Sequence, residues 1–333
     1  MARDHGFHPI RVKRVIQETA DTRTYVLDAP FDYEAGQFMT FRVCGTLRSY
    51  SMSSSPATDT ELMTTVKRVP GGLVSNWMHD HLSPGDLVEA TRPAGVFRLR
   101  EGGAPLVAFC GGSGVTPVLS LVKTALATTD RRVRLLTADR DAASVIFGPV
   151  LDELAERHPG RFELRRHLDT GGGFLTEPQI REFTADTPGA DFYICGPDPF
   201  MDLVERVLLD GGAAAEQIFI ERFGTAAAAP ESPAEAGASG EAEGTITIVL
   251  AGKKHTVPQH SGETLLQSAR RAGLAPPFSC EAGNCATCIA QVTEGAARMQ
   301  INNALEDDEI ADGWVLTCQG EPTTPSITVV YED

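Results

Sequence analysis

The stretch PPFSCEAGNCATC, residues 276–288, sets Cys280, Cys285 and Cys288 in a C-x4-C-x2-C run, and a fourth cysteine, Cys318, follows downstream. This is a spacing in which four thiolates hold a [2Fe–2S] cluster. Each tetrahedral iron takes two sulfurs from protein and two from bridging sulfide, so the loss of one thiolate opens the site. Structural zinc on four cysteines is the rival reading, but zinc favours pairs spaced C-x2–4-C, and only Cys285 and Cys288 form one. The cluster is the favoured reading. Gly283 lets backbone amides turn toward sulfur, and Ala286 and Thr287 are small enough to crowd the metal centre.

Around this loop the chain reads as strands over 245–250 and 255–257, a helix over 264–272, and further strands near Ile289 and Ile327. That is a small α+β domain, and it resembles the plant-type ferredoxin β-grasp. Just upstream, residues 225–243 (TAAAAPESPAEAGASGEAE) hold no aromatic or branched aliphatic side chain, so nothing anchors them in a core. They read as a tether with an end-to-end distance of roughly 25 Å as a flexible coil.

At 333 residues, 42% hydrophobic and 22% charged, the chain is long enough for two or three cored domains. MARDHGFHPI lacks an apolar signal region, and the longest uncharged stretch, 104–122, is broken by Gly111, Gly112, Gly114 and Pro117; no secretory signal and no membrane span are expected. Seven cysteines without a signal, four of them assigned to iron, point to a reducing, cytoplasmic setting. A net charge of -16 argues against nucleic acid as a partner. Residues 1–224 carry 24 basic and 30 acidic side chains, and 244–333 carry 5 and 11, so acidity is densest toward the C-terminus. The run Glu306, Asp307, Asp308 and Glu309 reads either as a surface steering a basic partner or as a solvated helix face.

From 104 to 223, apolar runs alternate with helical patterns: PLVAF, a helix after Pro117, VRLLTA, a helix through Leu151 and Leu154, FELRRHL, a helix near Ile180, DFYIC, a helix from Pro199, and IFIERF. Such alternation predicts a parallel, doubly wound α/β sheet. The first hundred residues instead hold six short β-rich runs, at 10–16, 24–27, 37–43, 48–53, 62–68 and 87–92, which predict an antiparallel β-barrel. The expected domains are 1–101 (barrel), 102–224 (nucleotide sheet), 225–243 (linker) and 244–333 (cluster domain).

Within the barrel, RSYSMSSS (48–55) puts a cation, an aromatic ring and hydroxyls on one strand, with Arg48 and Tyr50 on one face and Ser51 on the other. Arg48 can pair with a phosphate, Tyr50 can pack on a ring or sugar, and Ser51 can hydrogen-bond near a reactive nitrogen; an ordinary serine-rich strand is the plain alternative. In the sheet, CGGSGVTP (110–117) ends a strand and opens a helix with proline in its first turn, where doubly wound sheets bind nucleotides. It lacks the lysine of an ATPase phosphate loop. A second loop, Cys195-Gly196-Pro197, ends the fourth strand.

Arg48-x-Tyr50-Ser51, then TVKR (65–68) and GGLVSNW (71–77), resemble the flavin domain of the ferredoxin-NADP reductase superfamily, and the two glycine loops resemble its pyridine-nucleotide motifs. The resemblance implies that Arg48, Tyr50, Ser51, Val66, Lys67, Gly72, Val74 and Ser75 contact FAD. Lys67, Trp77 and Met78 have plain readings as surface and core residues. It implies that Gly111, Gly112, Gly114, Thr116, Gly196 and Pro197 hold the nicotinamide nucleotide, with Ser51, Thr116 and Cys195 at the hydride-transfer site. Cys195 as a buried strand residue is the alternative, and Cys44 and Cys110 read as packing residues. Phe223 matches a position where the superfamily sets an aromatic against flavin, with core filler the rival. Asp139 can accept from adenosine ribose hydroxyls and would repel a 2'-phosphate, which Arg140 would attract; NADH is favoured and NADPH is the alternative.

The order of domains resembles the reductase components of multicomponent oxygenases. Within that group SVIFG (144–148), CGPDPFM (195–201) and PPFSCEAGNC (276–285) are most similar to reductases of bacterial 3-ketosteroid 9-alpha-hydroxylases. The resemblance implies a monomeric enzyme that takes a two-electron hydride from NADH, converts it through FAD to single electrons for a cluster poised near about -400 mV, and feeds a separate Rieske-type oxygenase. Reductases of diiron oxygenases, such as phenylacetyl-CoA epoxidase or acyl desaturase, share the architecture. A standalone diaphorase and a redox-sensing module stay open as further readings.

Overall fold

The computed structural model describes residues 7–223, 244–278, 283, 286–302, 304–305 and 307–331. The tether, Cys280, Cys285 and Glu306 lie outside them.

The N-terminal strands are β1 (His8–Thr19), β2 (Thr22–Asp28), β3 (Phe38–Val43), β4 (Thr46–Ser51), β5 (Leu62–Lys67) and β6 (Leu87–Ala90), paired antiparallel in the order β4-β3-β6-β1-β2-β5. The sheet closes on itself where Met52 bridges Thr64 and Ser53 N donates to Met63 O at 2.8 Å, which makes it a barrel. Alternation explains the core: Ile10 and Val12 turn inward while Arg11 and Lys13 stay in water. β3 and β4 join through Cys44 (φ 49°) and Gly45 (φ 74°), the two left-handed residues of a type I′ hairpin turn. Cys44 is therefore exposed, which corrects its reading as a packing residue, whereas Cys110 is buried. Helix α1 (Leu73–His81) seats Val74 and Met78 in the barrel core.

Next comes a parallel sheet of β7 (Leu106–Gly111), β8 (Val133–Asp139), β9 (Phe162–Leu168), β10 (Asp191–Cys195) and β11 (Ile218–Glu221), ordered β11-β10-β7-β8-β9. The chain winds outward from β7 through β9, then crosses to β10 on the other side of β7. The direction therefore reverses between β7 and β10, and ligands of such sheets bind outside the strand carboxyl ends at that point. Helices α2 (Val115–Thr128), α3 (Gly148–Arg157), α4 (Asp169–Gly172), α5 (Glu177–Thr184) and α6 (Asp198–Asp210) connect the strands, and two apolar clusters form in this region. Ala35 and Phe97 from the barrel region join the cluster around α2, so the barrel and sheet share a packed boundary.

The C-terminal part contains β12 (Gly244–Leu250), β13 (Lys253–Gln259), α7 (Leu265–Arg271), β14 (Ile289–Glu294), β15 (Ala297–Met299), α8 (Asp307–Ala311), β16 (Trp314–Leu316), β17 (Gly320–Pro322) and β18 (Ser326–Val330). Its main sheet runs β13-β12-β18-β14-β16, with β15 and β17 paired separately. Leu265 and Ala269 of α7 pack on Ile246, Ile248 and Ile327, the one-helix-on-a-sheet arrangement of a β-grasp.

Candidate functional site

On the barrel, Arg48 Nη1 donates to Leu47 O at 2.7 Å and meets no carboxylate among the described residues. A cation left without an internal counter-ion suits a phosphate. The Tyr50 ring packs against Phe41 with centroids 5.9 Å apart, and burial pushes its phenol well up. Ser51 is buried, and its Oγ has no partner among the described residues. Gly72 caps α1 without a side-chain bond to the first turn, which leaves a positive helix end, while Ser75 Oγ accepts from Val69 N at 3.1 Å and shapes the approach. Val66 and Val74 point into the barrel core. Lys67 Nζ lies 3.8 Å from Asp21 and 3.8 Å from where a Cβ on Gly112 would stand, so its side chain reaches from the barrel to the glycine loop.

Across the boundary, the two loops of the nucleotide sheet meet backbone to backbone. A Cβ on Gly114 would sit 2.1 Å from Cys195 O, and one on Gly196 would sit 2.9 Å from Gly111 N. Gly111 in turn faces Pro197, with its would-be Cβ 2.8 Å from the Pro197 ring. Both loops therefore lie at the switch point between β7 and β10. Thr116, in the first turn of α2, is buried, and its Oγ1 has no partner among the described residues. The Cys195 thiol is fully buried and pushed well up, so it stays neutral. Asp139 ends β8 and is pushed up to about 6 by burial, against the pull of Lys67; Arg140 is exposed and pairs with Asp141 at 3.1 Å. Phe223, just after β11, is exposed.

What joins the halves is a stripe on α2. Thr116, Ser120 and Thr124 are four residues apart and share one helix face. Ser120 Oγ donates to Ser54 O at 2.5 Å, and Thr124 Oγ1 lies 2.6 Å from Ser55 Oγ. Thr116 lies one turn back along that face. Lys123, paired with Asp59 at 3.1 Å, fastens the outer side.

In the C-terminal part Cys288 and Cys318 are buried in one apolar cluster with Ala286, Leu305, Trp314 and Leu316. Gly283 (φ 74°) would drive a Cβ to 2.6 Å from Ile301 O, and Ala286 holds φ 53°, so both of these residues are left-handed. Thr317 N and Oγ1 both donate to Cys288 O, at 3.1 and 2.9 Å, which anchors that ligand position. Two buried thiols in one cluster, next to left-handed Ala286, fit an iron–sulfur cluster.

Residues 9–99 match the oxidoreductase FAD-binding domain family, 109–206 the oxidoreductase NAD-binding domain, and 248–323 the 2Fe-2S iron-sulfur cluster binding domain. Over 98% of both chains the protein is 34% identical to the 3-ketosteroid-9-alpha-monooxygenase ferredoxin reductase component of Rhodococcus rhodochrous. It is 31% identical to the glycine betaine monooxygenase reductase subunit of Pseudomonas aeruginosa, over 96% of this chain and 94% of that one. The chain belongs to the ferredoxin-NADP reductase-type oxygenase reductases with a 2Fe-2S domain. Among solved structures its fold resembles phthalate dioxygenase reductase, with a TM-score of 0.61, 24% identity and 98% of each chain covered.

This reductase is an electron-transfer enzyme of oxygenase systems, with FAD-, NAD- and 2Fe-2S-binding domains. Among its described residues no helix is long and apolar enough to cross a membrane. The acidic run of the reductase splits: Asp307 and Asp308 are exposed on α8, but Glu309 is buried, so it is not wholly a solvated face. Sequence reasoning passed over Ser120 and Thr124, whose hydroxyl spacing of four was the signal available.

Proposed function

We propose that the chain oxidises NADH at the boundary between barrel and parallel sheet and passes the electrons out one at a time to a separate terminal oxygenase. The observation that carries this reading is the pair of buried hydroxyls without a partner among the described residues, Ser51 Oγ of the barrel and Thr116 Oγ1 of α2, the helix whose Ser120 and Thr124 bond to Ser54 and Ser55 of the barrel region. A buried hydroxyl without a partner costs about 1–3 kcal/mol, so its persistence on both sides of the joined boundary argues for a ligand that pairs with them. Bound FAD supplies the exchange between two-electron and one-electron chemistry. Arg48 and the first turn of α1, with Gly72 and Ser75, hold its phosphates, Tyr50 packs on it, and Ser51 orients its reactive edge, while Val66, Lys67, Val74 and Phe223 line it. Gly111, Gly112, Gly114, Gly196 and Pro197 give the nucleotide close access to backbone, Thr116 and the neutral Cys195 flank the transferred hydride, and Asp139 selects the unphosphorylated ribose of NADH. Cys280, Cys285, Cys288 and Cys318 hold the cluster. The units span 1–101, 102–224 and 244–333, and the enzyme is a cytoplasmic monomer.

The proposed acceptor is a Rieske-type oxygenase of the 3-ketosteroid 9-alpha-hydroxylase kind, a choice supported by the likeness to the Rhodococcus rhodochrous reductase along the whole chain. Anaerobic rapid mixing with NADH is expected to bleach the flavin first and the cluster second, with NADPH markedly slower. No bleaching, or bleaching of the cluster ahead of the flavin, would sink the reading. Reconstitution with a 3-ketosteroid hydroxylase and with a diiron epoxidase tests the partner: turnover of the epoxidase alone overturns the steroid assignment.

A further inference from the structure

The turn that carries Cys318 buries an amide against its sulfur. After β16 the chain passes through Thr317 and Cys318 to Gln319, whose N donates to Leu316 O at 2.8 Å and whose carbonyl accepts from Gln300 N at 3.1 Å. Backbone bonds on both sides thus fix where the Gln319 side chain begins. Only 7% of Gln319 is exposed, and its Nε2 lies 3.7 Å from Cys318 Sγ, the distance of an N–H···S hydrogen bond. Its Cγ lies 3.1 Å from where a Cβ on Gly283 would stand. Gln319 therefore reaches from the fourth cysteine to the segment between Cys280 and Cys285, and Gly283 leaves room for it.

The chemistry of the two groups says what this contact does. The sulfur of a neutral thiol is a weak acceptor, and an amide taken out of water to face one is poorly compensated. A thiolate held by iron is negatively charged, and the same contact becomes a charge-assisted bond. The amide oxygen would be repelled there, so charge on Cys318 also decides which end of the amide turns toward it. The bonds around Cys288 are of another kind. Thr317 N and Oγ1 donate to the Cys288 carbonyl, and the Tyr331 hydroxyl donates to Thr317 Oγ1 at 3.0 Å, so that network acts on backbone.

We propose that the Gln319 amide raises the reduction potential of the 2Fe-2S centre by donating a hydrogen bond to the Cys318 thiolate. This rests on the reading above that Cys318 is one of the four ligands. Reduction adds one electron, which originates from NADH, with no proton taken up and no bond broken, and part of the added negative charge falls on the ligand sulfurs. A donor aimed at one of them stabilises the reduced form more than the oxidised form, and hydrogen bonds to sulfur are among the features that set the potentials of such centres. Gln319 thus acts through Cys318, shifting the electron from the flavin toward the domain that hands it on.

The test uses the full-length holoprotein with Gln319→Met, which keeps the length of the side chain and removes its N–H groups. In an anaerobic redox titration followed by electron paramagnetic resonance, the ratio of reduced to oxidised centre at a fixed potential is expected to fall about tenfold, a midpoint lower by about 59 mV for one electron. The iron–thiolate stretch in the resonance Raman spectrum should move to higher frequency, because a sulfur relieved of its hydrogen bond gives more of its charge to iron. Tyr331→Phe, which deletes a buried hydrogen bond behind Cys288 and leaves Gln319 in place, is the control: it is expected to lower the melting temperature and keep the wild-type midpoint. An unchanged midpoint in Gln319→Met, or an equal fall in Tyr331→Phe, overturns the inference, since either shows that this bond does not set the potential. A wild-type holoprotein with no one-electron 2Fe-2S signal overturns instead the ligand reading beneath it. Should Gln319→Met not hold the centre, Gln319→Glu, of the same shape with oxygen in place of the NH2 group, is titrated in its stead and is expected to lower the midpoint in the same sense.

Discussion

Arg48 illustrates how a single side chain reveals an absent counterpart. Among the described residues its guanidinium hydrogen-bonds the neighbouring Leu47 carbonyl and meets no carboxylate, on a protein that carries a net charge of -16 and pairs most of its other arginines with carboxylates. Losing a charge-assisted bond costs about 1.5–3 kcal/mol, so Arg48→Ala is expected to weaken FAD binding by roughly 10- to 100-fold, read as flavin retained on dilution or by fluorescence titration. Asp139 behaves oppositely, being disfavoured when charged. Its folded-state value, pushed up to about 6 by burial, lies above the ordinary 3.8, so the folded chain holds a proton that the unfolded chain has already lost between those values. Stability contributed by this group is thus highest below about pH 4 and declines as pH rises toward 6. Asp139→Asn is expected to stabilise the protein by about 1 kcal/mol near pH 7.5, allowing for partial solvent screening, with the gain vanishing at pH 4. Thermal melts at the two pH values check it; an equal gain at both would remove burial of the charge as the cause.

Elements show what a local pattern can and cannot announce. All six barrel strands and the alternating strands and helices of the parallel sheet were legible, because periods of two and of 3.6 are written within each segment. The paired strands β15 and β17 were not. Each is three residues long, and the partner of Arg298 is Glu321, far along the chain, so no local period exists to detect. Cys44 misled because free cysteines usually pack inside, although the adjacent Gly45 marked a turn. At the site, the glycine loops were legible as motifs, but their mutual packing was not: Gly114 needs to be glycine because Cys195 O fills the space where a side chain would begin. Gly114→Ala must push the two loops apart, at about 1–3 kcal/mol typical of overpacking. It is expected to lower the melting temperature and weaken NADH binding together, whereas Gly160→Ala, at an open surface turn with φ 76°, should change the melting point without touching NADH affinity.

At the scale of the molecule, the question is which parts must stay together for which reaction. The barrel and parallel sheet share an apolar cluster through Ala35 and Phe97, the hydroxyl bonds of Ser120 and Thr124, and the Lys123–Asp59 pair, so they form one packed body. The C-terminal β-grasp has an apolar core of its own around Ile246, Ile248 and Ile327. Linked by a stretch without core-forming side chains, it is held at high effective concentration, which makes electron transfer to the cluster intramolecular. Removing residues 225–333 should therefore leave NADH-driven reduction of ferricyanide near its full rate, because that acceptor takes electrons directly from the body that remains. Reduction of cytochrome c or of the partner oxygenase should fall by at least about tenfold, and adding back the separate 244–333 domain should restore it only as its concentration approaches the millimolar value the tether imposes. If instead the truncated protein reduces the oxygenase as fast as the full chain, the cluster is not the exit for electrons, and the flavin body meets the oxygenase on its own.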